Sequence, residues 1–472
     1  MVFSSLIFLF VFLPLVLIFY FITPNKYKNI TLFLSSIFFY TWGEGKLVIL
    51  LLLSSIINYF LGLFIEKSNK KELGLIIALI VNFATLGYYK YADFTLTNFN
   101  YLVEFLGLNS LEIKNLPNTV LPIGISFYTF QAVSYIIDIY MKKIQANKNY
   151  IDFATYLCMF PQLVAGPIVR YIDIKSQFTD RKPNVDAISA GVQRFVIGLS
   201  KKVLIANTMA QIADEIFNTS ITEISTPIAW LGAFAYAMQI YFDFSGYSDM
   251  AIGLGKIFGY NFPENFNYPY ISKSIKEFWR RWHISLSSWF RDYLYIPLGG
   301  NRMGKYRTYI NLFIVFFVTG LWHGASWNFI IWGLWHGLFL IIERIGFNKV
   351  IERTHSIVQH SYTLLVILIG WVIFRADNLS MAWKFILKMF TFDFNSSYYS
   401  QYAEIMTINP FNIIVTILAI LLSCPIYSHL NKLLKNNDTI DWVFRIGVIG
   451  LFLLSVIFIN SSNYNPFIYF RF

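Results

Sequence analysis

Charge is what this sequence has least of. Only 13% of its 472 residues are Asp, Glu, Lys or Arg, whereas a soluble domain carries about a quarter. Apolar side chains make up 56% and the mean hydropathy is +0.54, which excludes an ordinary soluble protein. Cysteine is equally scarce. Cys158 and Cys424 lie in apolar surroundings, so neither a disulfide framework nor a CxxC metal site is available. The six histidines include no HxxxH or HExxH spacing, and no metal site is expected. There is also no Gly-x-Ser-x-Gly nucleophile elbow.

What the chain has is apolar runs near the ~20 residues that cross a bilayer. They predict an all-α polytopic membrane protein of roughly ten to twelve transmembrane helices plus re-entrant or interfacial helices. Residues 1–472 form one integral-membrane domain, with core motifs at 120–340. Residues 3–22 lack the basic flank and small-residue cleavage site of a removable signal peptide and read as the first span. The net charge of +11 then reflects Lys/Arg excess in cytoplasmic loops beside anionic membrane lipid, not a nucleic-acid partner. That rule places 66–73, 273–307 and 431–438 in the cytoplasm and both termini outside.

Several segments are too polar for lipid. Residues 121–140 carry Pro122, Gly124, Ser126, Thr129, Gln131 and Ser134, and broken or polar backbone at membrane depth needs protein or water around it. Residues 151–170, with Pro161, Gly166 and Pro167, predict a re-entrant hairpin that keeps the basic stretch 170–182 inside. Residues 93–117 are too mixed to span and are expected at the outer interface. Tyr241 to Asp249, around Ser245-Gly246, suggests a helix break.

The chain is organised around residues 278–337. An aromatic-basic run, Phe278-Trp279-Arg280-Arg281-Trp282-His283, leads to the Pro297–Arg302 turn. A second apolar run closes on Trp322-His323-Gly324, and Gly333-Leu-Trp-His-Gly337 follows. Three of the six histidines fall here, where an ionisable group is costly and a functional candidate by default. The segments PIGISFYTFQ (122–131), FPQLVAGPIVR (160–170), FDFSGYSDMAIG (242–253), 265–302 and LWHGASWNFIIWGLWHG (321–337) resemble the membrane-bound O-acyltransferase family, in its bacterial branch of cell-surface polymer modifiers. The resemblance implies a ring of helices around a central tunnel in the bacterial cytoplasmic (inner) membrane. It implies an acyl group, acetyl above all, taken from a cytoplasmic donor such as acetyl-CoA with no bound cofactor. The group would then cross the membrane to O-acetylate peptidoglycan or an alginate-like exopolysaccharide. Because no catalytic domain follows the last span, a periplasmic acetyltransferase- or esterase-like partner is expected to complete transfer to the glycan. D-alanyl transfer to teichoic acid and a non-enzymatic transporter or flippase are the competing readings.

The chemistry picks out the same residues. A hydroxyl attacking a thioester must lose its proton, and imidazole titrates near neutrality; such general-base help is worth roughly 10²–10⁴-fold. His323, which matches the family's near-invariant histidine, is therefore expected as base or acyl acceptor, with His283 orienting or stabilising. His336, Trp322, Asp243 and Asp249 are supporting candidates. His336 lies about 20 Å from His323 along a continuous helix, so it can join the site only if the chain reverses at Gly324-Ala325-Ser326. Arg280, Arg281, Arg291 and Arg302 suit the phosphates of a donor, or simply mark a cytoplasmic loop.

Overall fold

A computed structural model describes residues 1–114, 119–179, 181, 183–394, 409–426, 438–461, 464–466 and 468. Among them there is no strand. The peripheral helices are α1 (Leu13–Ile22), α2 (Lys28–Glu44), α3 (Val48–Lys67) and α4 (Lys71–Phe105). Their outward faces are apolar and bare: Phe19, Leu34, Phe60 and Ile80 are all more than half exposed. In water such a surface would aggregate; in a bilayer it is a lipid-facing wall. Among the described residues, five helical stretches are long and apolar enough to cross a membrane: Asn25–Lys67, Lys71–Phe105, Trp327–Ile351, Ser356–Arg375 and Thr439–Ser461. Phe8–Ile22 and Pro410–Leu422 are shorter apolar helices.

Helix α4 carries on into the mixed stretch that begins at residue 93. It runs unbroken to Phe105, about 52 Å at 1.5 Å per residue, longer than the ~30 Å hydrocarbon core. Its mixed second half therefore projects beyond the apolar layer while staying helical.

Behind the wall lies α5 (Ile125–Tyr140), buried along almost its whole length. The segment after it behaves as the prolines imply. Helix α6 (Tyr150–Cys158) has nine residues, about 14 Å, too short to span, and one further turn (Phe160–Leu163) follows. The chain then comes back to the side it left. Arg170 Nη1 binds Asp292 at 2.8 Å, and the Tyr171 hydroxyl accepts from Asn147 at 2.9 Å. The loop 170–175 thus shares a face with 142–148 and with the basic segment around 291, as a re-entrant hairpin requires.

Helices α7 (Val185–Ser200) and α8 (Asn207–Asn218), joined by a π-helical turn (Lys201–Ala206), wrap α9 (Thr226–Ile257). The break expected near Ser245-Gly246 is absent, and α9 passes straight through. Gly246 serves contact instead: a Cβ there would lie 2.7 Å from the Gly198 carbonyl of α7. The two helices touch backbone to backbone, the small-residue packing that membrane interiors favour.

Short helices α10 (Ile275–Arg281) and α11 (Ile284–Phe290) cross the centre, and α12 (Lys305–His323), α13 (Trp327–Ile342) and α14 (Ser356–Arg375) surround them. Helix α15 (Leu379–Phe390), α16 (Pro410–Leu422) and α17 (Asp438–Ser461) complete the chain. The turn expected at 431–438 lies outside the described residues apart from the start of α17. The terminal segment does not hang free. Tyr464 donates to Asp214 at 2.6 Å, Asn465 donates to the Ser4 carbonyl at 3.0 Å, and the Ile468 amide donates to Asp243 at 3.0 Å.

Candidate functional site: a buried histidine cluster

Helix α12 ends at His323, three residues turn, and α13 starts at Trp327 with the Ser326 hydroxyl accepting from the Asn328 amide. The chain thus reverses where the sequence allows it. Glycine sets how tightly: a Cβ on Gly333 would stand 2.2 Å from the Phe316 carbonyl, and one on Gly320 2.3 Å from the Phe329 carbonyl. The reversal brings His336 back toward His323. Both imidazoles lie edge-on to Trp332, with ring centroids 4.8 Å from His323 and 5.2 Å from His336. The condition for His336 to join the site is met.

His283 comes from a different direction. It begins α11 in the left-handed region (φ +43°), where a side chain costs roughly 1–2 kcal/mol and where strain often marks function. Asn265 holds it there. The Asn265 carbonyl accepts from the Ile284 amide at 3.0 Å. Its side-chain Oδ1 accepts from the Ser285 amide at 3.2 Å and hydroxyl at 2.9 Å, and Nδ2 donates to Ser248 at 3.1 Å. The Ser285 amide can only donate, so the Asn265 atom facing His283 Nδ1 at 3.1 Å is oxygen. His283 is therefore protonated at Nδ1 and carries its free lone pair on Nε2, by the donor and acceptor inventory of neutral imidazole. That Nε2 is buried without a hydrogen-bond partner among the described residues, as are both nitrogens of His336.

Trp322 links the two sides. Its ring meets His283 at 5.9 Å and His323 at 5.0 Å. All three histidines are buried, His323 being 3% exposed and the others closed off. A cavity of about 210 Å³ reaches Ser326, Asn328, Phe374 and Arg375. Phe374 also touches the His323 ring, with centroids 5.3 Å apart, so this cavity ends one side chain from the cluster.

The acidic candidates lie elsewhere. Asp243 forms a buried ion pair with Lys202 at 2.9 Å. Asp249 meets Arg194 at 2.8 Å and Lys201 at 2.7 Å. Both fasten α9 to the α7–α8 arm. Of the basic candidates, Arg281 binds Glu277 at 2.9 Å and Arg291 binds Asp292 at 2.7 Å; Arg280 and Arg302 are exposed. A separate groove on the face of the 142–148 loop is lined by Lys71, Lys142, Lys143, Lys148 and Lys175. Among the described residues no three His, Cys, Asp or Glu side chains gather as metal ligands.

Asn265 and Lys90 were not singled out by sequence reasoning, and Ser126 was named only as one of the polar residues of 121–140. Asn265 and Ser126 sit inside matching segments but are ordinary polar residues. Lys90 had a signal of its own, a lone amine within the apolar stretch of α4, of the kind that marks function in membranes.

Apolar helices long enough to span a bilayer enclose a buried cluster of three imidazoles, one of them on a strained backbone, and so define a membrane protein with a candidate site in its interior. The comparisons give the particular family. The model of the "MBOAT, membrane-bound O-acyltransferase family" matches residues 10–381, and the chain belongs to that family; it is an O-acyltransferase. It is 41% identical over 505 residues to the "Probable alginate O-acetylase AlgI" of Azotobacter vinelandii, covering 100% of both chains. With the "Peptidoglycan O-acetyltransferase" of Helicobacter pylori it shares 36% over 523 residues, 100% of this chain and 98% of the relative. The "Teichoic acid D-alanyltransferase" of Bacillus subtilis is 32% identical over 228 residues, 46% of this chain and 57% of the relative.

Proposed function

We propose that this protein takes an acetyl group from acetyl-CoA at the cytoplasmic side of the inner membrane and passes it outward for O-acetylation of a cell-surface polysaccharide, peptidoglycan or an alginate-like exopolysaccharide. The observation that carries this reading is the end-to-end similarity to an alginate O-acetylase and a peptidoglycan O-acetyltransferase. The D-alanyltransferase, by contrast, matches less than half of the chain.

In this reading His323 takes the proton of the accepting hydroxyl as its oxygen attacks the thioester carbonyl. The new C–O bond forms, the C–S bond breaks, and the leaving thiolate recovers the proton. His283, its lone pair directed by the Asn265 bracket, orients or stabilises the reacting groups. Burial strengthens each of these interactions, because few polar groups compete for the developing oxyanion. Donor phosphates would meet the basic cytoplasmic face, at Arg280, Arg281, Arg291 and Arg302 or at the lysine-lined groove. A separate periplasmic protein would receive the acetyl group and complete transfer to the glycan.

The test is donor-resolved thiol release by the purified chain in proteoliposomes, with a soluble hydroxyl compound supplied as the acetyl acceptor. Acetyl-CoA should yield free thiol in a His323-dependent manner, and polymer should become acetylated only when the periplasmic partner is added. Thiol release from a D-alanyl carrier thioester but not from acetyl-CoA would overturn the acetyl assignment. Robust polymer acetylation by the chain alone would remove the partner.

A further inference from the structure

Lys90 is a buried group that the proposed reaction leaves unused. It stands midway along α4 and is 8% exposed, although an amine at this depth is costly to bury. Its Nζ donates to the Trp322 carbonyl and to the Ser126 hydroxyl at 3.1 Å, and it lies 5.8 Å from the Trp322 ring centre. The next residue repeats the contact, for the Tyr91 hydroxyl donates to the Leu321 carbonyl at 2.5 Å.

These two carbonyls belong to the last turn of α12. A helix leaves its final four carbonyls without intrahelical partners, and the chain after His323 leaves in extended form at Gly324. Two successive side chains of α4 therefore cap α12 from outside. A cation also suits the negative end of a helix dipole. Ser126, the third partner, lies in the first turn of α5, whose N-cap Gly124 (φ +75°) abuts the re-entrant segment at the Leu163 carbonyl. Lys90 thus ties together the helix end that bears His323 and the helix start that faces it.

We propose that Lys90 is a positioning residue for acyl transfer: through the Trp322 carbonyl and Ser126 it fixes the helix end on which His323 stands. The inference rests on the reading of His323 as the reacting group.

Lys90→Met keeps the length and removes both donor and charge. Measured on purified protein in nanodiscs, kcat for thiol release should fall about 10²-fold, while donor KM stays within about threefold, the pattern of an interaction made in the transition state. Thermal stability should stay close to wild type. Lys90→Arg should recover about tenfold of the lost rate, because it restores a charged donor. A folded Lys90→Met enzyme with near wild-type kcat would overturn the proposal, as would a loss that follows the folded fraction and is not restored by arginine. If Lys90→Met does not accumulate, Ser126→Ala and Tyr91→Phe decide: lowered kcat at constant KM supports the proposal, and unchanged kcat in both overturns it. His323→Ala is measured alongside. If it remains active, the reading of the reaction fails; if it is inactive while Lys90→Met is normal, only this inference fails.

Discussion

Two carboxylates of α9 and two imidazoles of the histidine cluster are buried in one helical interior and are paired differently. Asp243 and Asp249 are matched by Lys202, Arg194 and Lys201. His283 Nε2 and both nitrogens of His336 face no hydrogen-bond partner among the described residues. Native interiors satisfy their polar groups almost everywhere. Asp243 and Asp249 are held by cations of the neighbouring arm, whereas the open nitrogens of His283 and His336 keep lone pairs or protons uncommitted.

The largest expected effect is on the scaffold side. Asp243→Ala leaves Lys202 as an uncompensated buried charge, which destabilises by about 3–5 kcal/mol. Protein level and activity should drop together, read by quantitative blotting beside thiol release. A variant that accumulates normally but loses activity would move Asp243 into the site and break the contrast.

Asn265→Ala probes the border between the regions. It removes the acceptor of His283 and Ser285, and orphaned buried donors cost about 1–3 kcal/mol. A moderate fall in thermal midpoint should accompany a larger loss of turnover per folded molecule. Equal losses would make the bracket purely structural.

His336→Ala should cost about tenfold in turnover, less than the roughly 10²–10⁴-fold of a group that transfers the proton itself. The expected order is a smaller loss than for His283→Ala and far smaller than for His323→Ala, with stability changed by the vacated volume alone. A loss matching that of His323→Ala would make the two histidines equal partners.

The smallest effect lies outside the membrane. Burial pushes the Asp292 carboxyl up, but Arg291 and Arg170 outweigh this and hold it below the usual carboxylate range. Its stabilising contribution is therefore present above the unfolded value near 4 and is lost as pH falls through the lower folded value. Because the pair is partly exposed, the contribution is under about 1 kcal/mol. Asp292→Asn should lower the thermal midpoint slightly at neutral pH and not at strongly acidic pH. A constant difference across that range would rule out the ion pair as its origin.

The sequence made some of this contrast legible and hid the rest. Apolar runs announced the lipid-facing helices because hydropathy alone decides which residues may meet lipid. Prolines announced the re-entrant hairpin because they remove backbone donors. Gly246 misled, since a small residue that permits close helix contact looks, in sequence, like one that breaks a helix. His336 depended on a reversal at Gly324 to Ser326 that no periodicity encodes. Lys90 was hidden by distance: its partners Ser126 and Trp322 lie 36 and 232 residues away, and only the fold brings them together.

The most direct measurement compares His323→Ala with Asp243→Asn as purified proteins in nanodiscs, recording thermal midpoint and acetyl-CoA-dependent thiol release per folded molecule. The account predicts that His323→Ala melts like wild type and releases no thiol above background. Asp243→Asn should melt earlier but turn over normally in its folded fraction. A His323→Ala protein that is folded and turns over near the wild-type rate would contradict the assignment of chemistry to the histidine cluster.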